Sequence, residues 1–132
     1  MTARQPAEWA PHLATWTAFP SHADLWEDNL APAQAEVAAM VRAIARGERV
    51  ELLCANPEAE AAARGLIGDA NVRYHNQAFG DIWLRDTGPL FLTSRHGAAA
   101  AGFRFNGWGG KYVLPGDDAV AGYVASAAGV PL

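Results

Sequence analysis

Lysine and cysteine are almost missing from this chain of 132 residues. Nine of the ten basic residues are arginine, and Lys111 is the only lysine. The basic residues form no cluster along the sequence. With a net charge of −4 and a pI near 5.4, the chain lacks the positive surface of a nucleic-acid-binding protein. The single cysteine, Cys54, cannot form an internal disulfide, which is typical of proteins of the reducing cytoplasm.

Long apolar runs are also missing. The N-terminal sequence MTARQPAEWAPHLATWTAFP has no continuous apolar core of the kind that a signal peptide needs, and no later run reaches membrane length. We therefore predict a cytoplasmic protein that has neither a membrane nor a nucleic acid as a partner. With 51% hydrophobic and 18% charged residues, the composition is that of a globular protein of about one domain.

The first half of the chain predicts alternating helices and strands. The Trp- and Pro-rich residues 1–29 predict an irregular arm, with a short strand near ATWTAFP. The spacing of Val37, Met40, Val41 and Ile44 predicts one face of a helix. RVELLCA then predicts a buried strand, NPEAEAAARGLIG a helix capped by Asn56, and NVRYHN a short strand. This order indicates an α/β fold.

The second half predicts a hairpin followed by a loop and a helix. PLFLTS and AAAAGFRF flank a turn at RHG, which favours two antiparallel strands. The glycine-rich loop NGWGGKYV follows, and DDAVAGYVASAAG predicts a helix. The closing VPL is typical of a strand that has barely begun, so we expect the chain to be part of a larger architecture.

The segment DIWLRDTGP places two charges in an otherwise apolar run. If it is a strand, Ile82, Leu84 and Asp86 share one face, and Trp83 and Arg85 share the other. Either the two charges pair with other groups in the core, or Asp86 lines a ligand cavity. A carboxylate there would accept two parallel N–H bonds from a planar guanidinium, with Trp83 as an apolar or cation–π wall.

The segment FRFNGWGGKY has glycines on both sides of Trp108. They allow either a close backbone approach to a ligand or a structural turn with positive φ. The spacing fits neither a P-loop nor a dinucleotide-binding fingerprint.

The remaining reactive residue types do not predict a catalytic centre or a metal site. Cys54 lies within an apolar strand pattern, so we interpret it as a small buried hydrophobe rather than a nucleophile. The histidines have no metal-ligand spacing with one another or with Cys54, and we predict no metal and no cofactor. They are His12, His22, His75 and His96.

Several segments, in this order, resemble the agmatine deiminases and their bacterial peptidylarginine deiminase relatives: PAEWAPHLATWTAFP, DIWLRDTGP, FRFNGWGGKY and the DDAV helix. The resemblance runs from about Pro6 to the last residue. It implies an α/β pentein (β/α propeller), of which this chain would form about the first two ββαβ-type units. The implied division is an arm at 1–29, a first α/β unit at 30–76 and an incomplete second unit at 77–132.

The resemblance also implies a chemistry and a site. In this family a cysteine attacks the guanidinium carbon, ammonia leaves, and water releases a ureido product, without a cofactor. Asp86 matches the motif aspartate that binds the guanidinium, so it is the catalytic candidate, and Trp83 matches a tryptophan that walls the substrate. Trp108 lies near the channel mouth, and the supporting residues are Asp81, Arg85, Gly109 and Gly110, with Arg85 expected to organise Asp81.

The sequence departs from the family pattern in ways that leave alternatives open. The family's nucleophilic cysteine and its histidine have no counterpart here, and Phe19 and Gly80 stand where many members have Trp and Asn. The predicted partner is a small cationic guanidine: agmatine, a peptidyl arginine or another guanidine. Agmatine would link the protein to biosynthesis of the polyamine putrescine. The alternative is a non-catalytic fragment that binds guanidinium or forms homo-oligomers through exposed sheet edges.

Overall fold

The computed structural model describes residues 3–132, so the first two residues of the predicted arm lie outside the described residues. The chain divides into two compact units. The sheet unit is His12–Trp83, and the hairpin unit comprises the described residues up to Pro11 together with Leu84–Leu132. The division into an arm and two family-type units stays a prediction.

The sheet unit is built on three parallel strands in the order β1-β2-β3. Trp16, Glu51 and Arg73 lie opposite one another across them. The short strand predicted near ATWTAFP is confirmed as an edge strand of this sheet, and Phe19 just beyond it is fully buried. The strands are β1 (Ala14–Ala18), β2 (Arg49–Cys54) and β3 (Val72–Asn76).

The helices Leu30–Ala45 and Pro57–Ile67 form where the sequence predicts them, with one difference in the buried face, whereas the short helix Ala23–Trp26 lies in the segment that was predicted to be irregular. Val41 is fully buried, but Met40 is 44% exposed, because one residue along a helix turns the side chain by about 100°. The side chain of Asn56 accepts a hydrogen bond from the backbone N–H of Ala59 at 2.8 Å and caps its helix as predicted. The helices are α1 (Ala23–Trp26), a 3₁₀ turn (Glu27–Asn29), α2 (Leu30–Ala45) and α3 (Pro57–Ile67).

One hydrophobic core joins β2 to helices α2 and α3. Alternate residues of β2 (Val50, Leu52 and Cys54) belong to it, as a strand with one face against helices requires. Each fully buried large aliphatic side chain contributes roughly 1.5–3 kcal/mol by leaving water. The other buried members are Phe19, Val41, Ala59 and Ala63.

The hairpin unit contains the predicted antiparallel pair, and both of its edges have backbone partners. Arg4 exchanges two backbone hydrogen bonds with Thr93, at 3.0 and 2.9 Å. On the other strand, the N–H of Ala100 donates to the carbonyl of Pro131 at 2.7 Å. The elements are α4 (Leu84–Thr87), β4 (Leu90–Ser94), β5 (Gly97–Ala101), a left-handed turn (Gly107–Gly110), a 3₁₀ turn (Asp117–Ala119) and α5 (Val120–Ala127).

Within residues 3–132, none of the helices has both the length and the apolar character needed to cross a membrane.

Candidate functional site

The segment DIWLRDTGP does not form the strand expected from its alternation. Residues Leu84–Thr87 form one short helical turn, closed by a hydrogen bond from the N–H of Gly88 to the carbonyl of Leu84 at 2.9 Å. A Cβ on Gly88 would lie 2.6 Å from that carbonyl oxygen, so only glycine fits. The turn buries Thr87 and leaves Arg85 and Asp86 exposed. The strand that the alternation suggested is therefore absent, and the helical turn keeps both charges in solvent.

Asp86 presents an exposed carboxylate on this turn. Within residues 3–132 it takes part in no hydrogen bond and no ion pair. An ionised carboxylate has two oxygens and only accepts hydrogen bonds. Asp86 therefore retains its whole accepting capacity for a ligand or for water.

Arg85 pairs with Glu8 of the N-terminal segment, and both side chains are largely exposed. Its expected role was to organise Asp81 from the opposite face of a strand. The strand is absent and the guanidinium is engaged by Glu8, so the role of Arg85 toward Asp81 stays a prediction. Nothing in the sequence pointed to Glu8, since the two residues are 77 positions apart.

Asp81 and Trp83 are brought together at the end of the sheet unit. One oxygen of Asp81, Oδ1, accepts from the backbone N–H of Ile82 at 2.7 Å. The other, Oδ2, accepts from the indole Nε1–H of Trp83 at 2.9 Å. The indole is 51% exposed, so its ring is anchored at the nitrogen and open to solvent over much of its surface.

Trp108 sits in the left-handed turn of the hairpin unit. Its φ of 54° and ψ of 54° are unusual for a residue with a side chain, and the glycines around it also have positive φ. The ring packs edge-to-face against Phe105 at 4.9 Å between centroids, and against Tyr112 at 6.3 Å. Trp108 is 41% exposed. It forms no hydrogen bond with Asp86.

The glycines of this turn are required for different steric reasons. A Cβ on Gly107 would lie 2.4 Å from the carbonyl oxygen of Tyr112, so the close approach itself demands glycine. Gly109 and Gly110 face open space, and only their positive φ favours glycine. The side chain of Asn106 accepts from the N–H of Gly109 at 2.9 Å and holds the turn. A structural turn, one of the two interpretations of this motif, is therefore present.

Cys54 is a buried member of the core and not a poised nucleophile. Burial, reinforced by the negative charge of Glu60, raises the pKa of the thiol to about 12. A thiol with that pKa has almost no thiolate at neutral pH, and the thiolate is the reactive form.

The sequence analysis missed a buried ionic cluster in the sheet. Glu51 is only 3% exposed and accepts hydrogen bonds from His75 Nε2 and Arg49 Nε, both at 2.6 Å. Burial opposes ionisation of Glu51, but these hydrogen bonds and the charge of Arg73 outweigh it and lower its pKa. The sequence feature that could have revealed this cluster is the lone carboxylate within the apolar strand VELLCA. Because every partner comes from within the sheet, this cluster stabilises the fold.

A recess of about 310 Å³ in the sheet unit is unsuited to a cationic substrate. Three arginines line it, and Asp69 is the only carboxylate among its lining residues. A guanidinium there would be repelled by like charges. The arginines are Arg49, Arg64 and Arg73.

No group of three or more His, Cys, Asp or Glu side chains within residues 3–132 is arranged to hold a metal ion. His75 is engaged by Glu51 and stacks at a tilt on Trp16, with 4.9 Å between the ring centroids. The Nε2 atom of His22 lies 2.7 Å from the carbonyl oxygen of Phe79, within hydrogen-bonding distance. These two histidines therefore have structural partners in the sheet unit.

Solved structures of deiminases share this fold over nearly the whole chain. The agmatine deiminase of Enterococcus faecalis matches with a TM-score of 0.88 at 23% identity, over 98% of this chain and 36% of that one. The agmatine deiminase of C. jejuni with substrate bound matches with a TM-score of 0.84 at 20% identity, over 99% of this chain and 40% of that one. At these identities the likeness shows the mixed α/β fold alone.

The family is identified by the sequence comparisons. The agmatine deiminase of Stutzerimonas stutzeri (strain A1501) is 47% identical over 107 residues, which are 80% of this chain and 29% of that protein. The agmatine deiminase of Pseudomonas aeruginosa (strain LESB58) is 42% identical over 108 residues, 81% of this chain and 29% of that protein. The model of the Porphyromonas-type peptidyl-arginine deiminase family matches residues 4–132. The chain belongs to this family, which confirms the membership that the motifs predict.

Proposed function

We propose that this chain is the N-terminal portion of a guanidine deiminase of the agmatine deiminase type, and that it grips the substrate guanidinium through Asp86. The observation that carries the proposal is the state of Asp86. Its carboxylate is exposed and makes no hydrogen bond or ion pair within residues 3–132, while the neighbouring Arg85 is engaged by Glu8. A carboxylate in this state matches a planar guanidinium, which offers two parallel N–H donors.

Aromatic side chains complete the proposed substrate contacts. Trp83 supplies a ring face for the cation, and its 51% exposure supports this role. Trp108, with Gly109 and Gly110, contributes a rigid aromatic edge in the left-handed turn. Asp81 supports Trp83, with which it shares a hydrogen bond.

The proposed reaction is hydrolysis of the guanidinium to a ureido product and ammonia. A cysteine thiolate attacks the guanidinium carbon, ammonia leaves, and water releases the product. Cys54 is unsuited to that task because it is buried and its pKa is raised to about 12. The chain spans 29% of the length of the two curated relatives, both of which are named agmatine deiminases. These two observations support our proposal that the nucleophile lies in a part of the protein outside this chain.

We further propose that the sheet unit and the hairpin unit correspond to the first two units of a pentein. Two observations support this. The three parallel strands with two covering helices form one α/β unit, and the hairpin followed by α5 forms a second pattern of strands and a helix. The TM-score of 0.88 with a deiminase of known structure supports a common architecture.

Binding of agmatine to the purified chain tests the role of Asp86. We expect agmatine to bind weakly and putrescine, which carries an ammonium in place of the guanidinium, to bind more weakly still. Asp86→Asn should weaken agmatine binding by about tenfold or more, because a charge-assisted pair of hydrogen bonds is lost. Ligand-observed NMR titrations measure these affinities.

A matched variant in the same unit controls for the loss of one negative charge. Asp118 is also exposed, and Asp118→Asn should leave agmatine binding unchanged. Equal effects of the two substitutions would reduce Asp86 to one of several surface charges and would contradict the proposal. The chain alone should release no ammonia from agmatine, and turnover that survives Cys54→Ala would contradict the placement of the nucleophile elsewhere.

The sheet edges favour a second candidate function, assembly with another chain. In the sheet unit, β1 and β3 each pair with β2 on one side, and within residues 3–132 neither pairs with another strand on its outer side. Unpaired edges are templates for strand addition. Light scattering across a range of concentrations tests this, since self-association would favour assembly and a stable monomer would argue against it.

A further inference from the structure

Asp81 is bound to Trp83 in a way that local sequence does not impose. The carboxylate accepts from the backbone N–H of Ile82 at 2.7 Å and from the indole N–H of Trp83 at 2.9 Å. The chain contains a second Asp–aliphatic–Trp tripeptide, Asp24 to Trp26, which lies in helix α1. Residues i and i+2 of a helix do not face each other, and Asp24 makes no hydrogen bond within residues 3–132. The non-helical backbone, which bends at Ile82, is therefore what brings the acid and the indole together.

An anchored indole differs physically from a free one. A half-exposed tryptophan side chain ordinarily samples several rotamers, and ordering it when a ligand binds costs free energy. A hydrogen bond to a charged carboxylate is shorter and stronger than a neutral one. It fixes the indole nitrogen and with it the direction of the ring plane, while 51% of the side chain stays accessible.

We propose that Asp81 is a positioning residue that holds the indole of Trp83 in one orientation, so that the ring face is preformed for a planar cation. The role in binding rests on the proposed function, in which Trp83 walls the guanidinium. The orientation itself does not depend on that function, because it follows from the hydrogen bond.

Fluorine NMR of the chain labelled with 5-fluorotryptophan tests the orientation directly. The five tryptophans give separate signals, and Trp83→Phe assigns the one of interest. We expect Asp81→Ala to shift and broaden the Trp83 signal alone, and Asp81→Asn, whose amide oxygen still accepts from the indole, to keep most of the wild-type position. Asp24→Ala is the matched control and should leave the Trp26 signal in place. A Trp83 signal unchanged in Asp81→Ala would overturn the proposal.

Agmatine titrations then separate positioning from direct contact. If Asp81 acts through the ring, Asp81→Ala weakens agmatine binding several-fold in the wild-type background and has no further effect in the Trp83→Ala background. An equal loss in both backgrounds would mean that Asp81 touches the ligand itself, which contradicts a positioning role. Absence of agmatine binding to the wild-type chain would count against the proposed function, and the fluorine signals would still decide whether Asp81 orients Trp83.

Discussion

Glu51 of the sheet unit and Asp86 of the hairpin unit are both carboxylates, yet their surroundings are opposite. Glu51 is 3% exposed and its oxygens accept from His75 and Arg49. Asp86 is exposed and makes no hydrogen bond within residues 3–132. A buried charge must be satisfied inside the protein, whereas an exposed one remains available to a ligand. The buried carboxylate of the sheet therefore serves stability, and we assign ligand contact to exposed side chains such as Asp86.

The largest expected effect concerns the thiol of the sheet unit. Because burial raises the pKa of Cys54 to about 12, its thiolate fraction at pH 8 is about a thousandfold lower than that of an ordinary cysteine. We expect native protein to resist alkylation by iodoacetamide and urea-unfolded protein to react readily. Rapid alkylation of the native protein, followed by mass spectrometry, would contradict the description of the sheet unit as a closed interior.

Truncation of the core should cost more than any change at the surface. Leu52 is fully buried, so Leu52→Ala should lower the free energy of unfolding by about 4 kcal/mol. Leu13, which is 91% exposed, supplies the same substitution without burial, and Leu13→Ala should change stability by less than about 0.5 kcal/mol. Urea unfolding followed by circular dichroism measures both.

Removing the charge of Glu51 and removing that of Asp86 should have clearly different effects on the free energy of unfolding. Glu51→Gln should destabilise the protein by about 3 kcal/mol at neutral pH, because a buried ion cluster loses its only anion. Asp86→Asn should leave stability within about 0.5 kcal/mol of wild type. Similar losses of stability in the two variants would contradict the distinction between a structural carboxylate at Glu51 and an available one at Asp86.

The pH dependence of stability sharpens the same comparison. The folded-state pKa of Glu51 is lowered, so its contribution is fully present above the unfolded-state pKa of about 4.3 and is lost as the pH falls through the lower folded-state pKa. Wild-type stability should therefore decline in acid more steeply than that of Glu51→Gln. Parallel declines, measured by urea unfolding between neutral pH and strong acid, would show that Glu51 has no such linkage.

Glycine substitutions should change the free energy of unfolding less than the loss of the Glu51 charge does. Gly107→Ala should destabilise the left-handed turn by about 2 kcal/mol, because its Cβ would meet a carbonyl oxygen at 2.4 Å. Gly109→Ala faces open space and should cost only the left-handed conformation, about 1 kcal/mol. Gly65→Ala lies within helix α3 with nothing near its Cβ, and should stabilise the protein by about 0.5–1 kcal/mol. Equal costs at Gly107 and Gly109 would contradict the close approach.

The sequence predicted the elements whose signals are local. The helix caps, the apolar strand RVELLCA and the hairpin on either side of RHG were all found where expected. The wrong predictions involve contacts between residues that are distant in sequence, or a segment whose pattern fits both a strand and a helical turn. The alternation in DIWLRDTGP fits a strand equally well, and only the burial of Thr87 and the close approach at Gly88 reveal the helical turn.

The candidate site was predicted for a different reason, the resemblance of the motifs to a family. Family motifs named Asp86, Trp83 and Trp108, but a motif gives residue types and not their contacts. The pairing of Arg85 with Glu8 and the hydrogen bond from Trp83 to Asp81 depend on backbone directions that no spacing rule contains.

Glu51 also has a consequence for how the strands align as the chain folds. A slip of β2 by one residue would turn every side chain to the other face of the sheet. The carboxylate would then enter the apolar layer beside Val41 and Phe19, and His75 and Arg49 would lose their anion. The hydrophobic pattern alone penalises such a slip weakly, since Leu53 on the other face is as apolar as Leu52. One buried charge thus adds a penalty against a one-residue slip that the hydrophobic pattern does not supply.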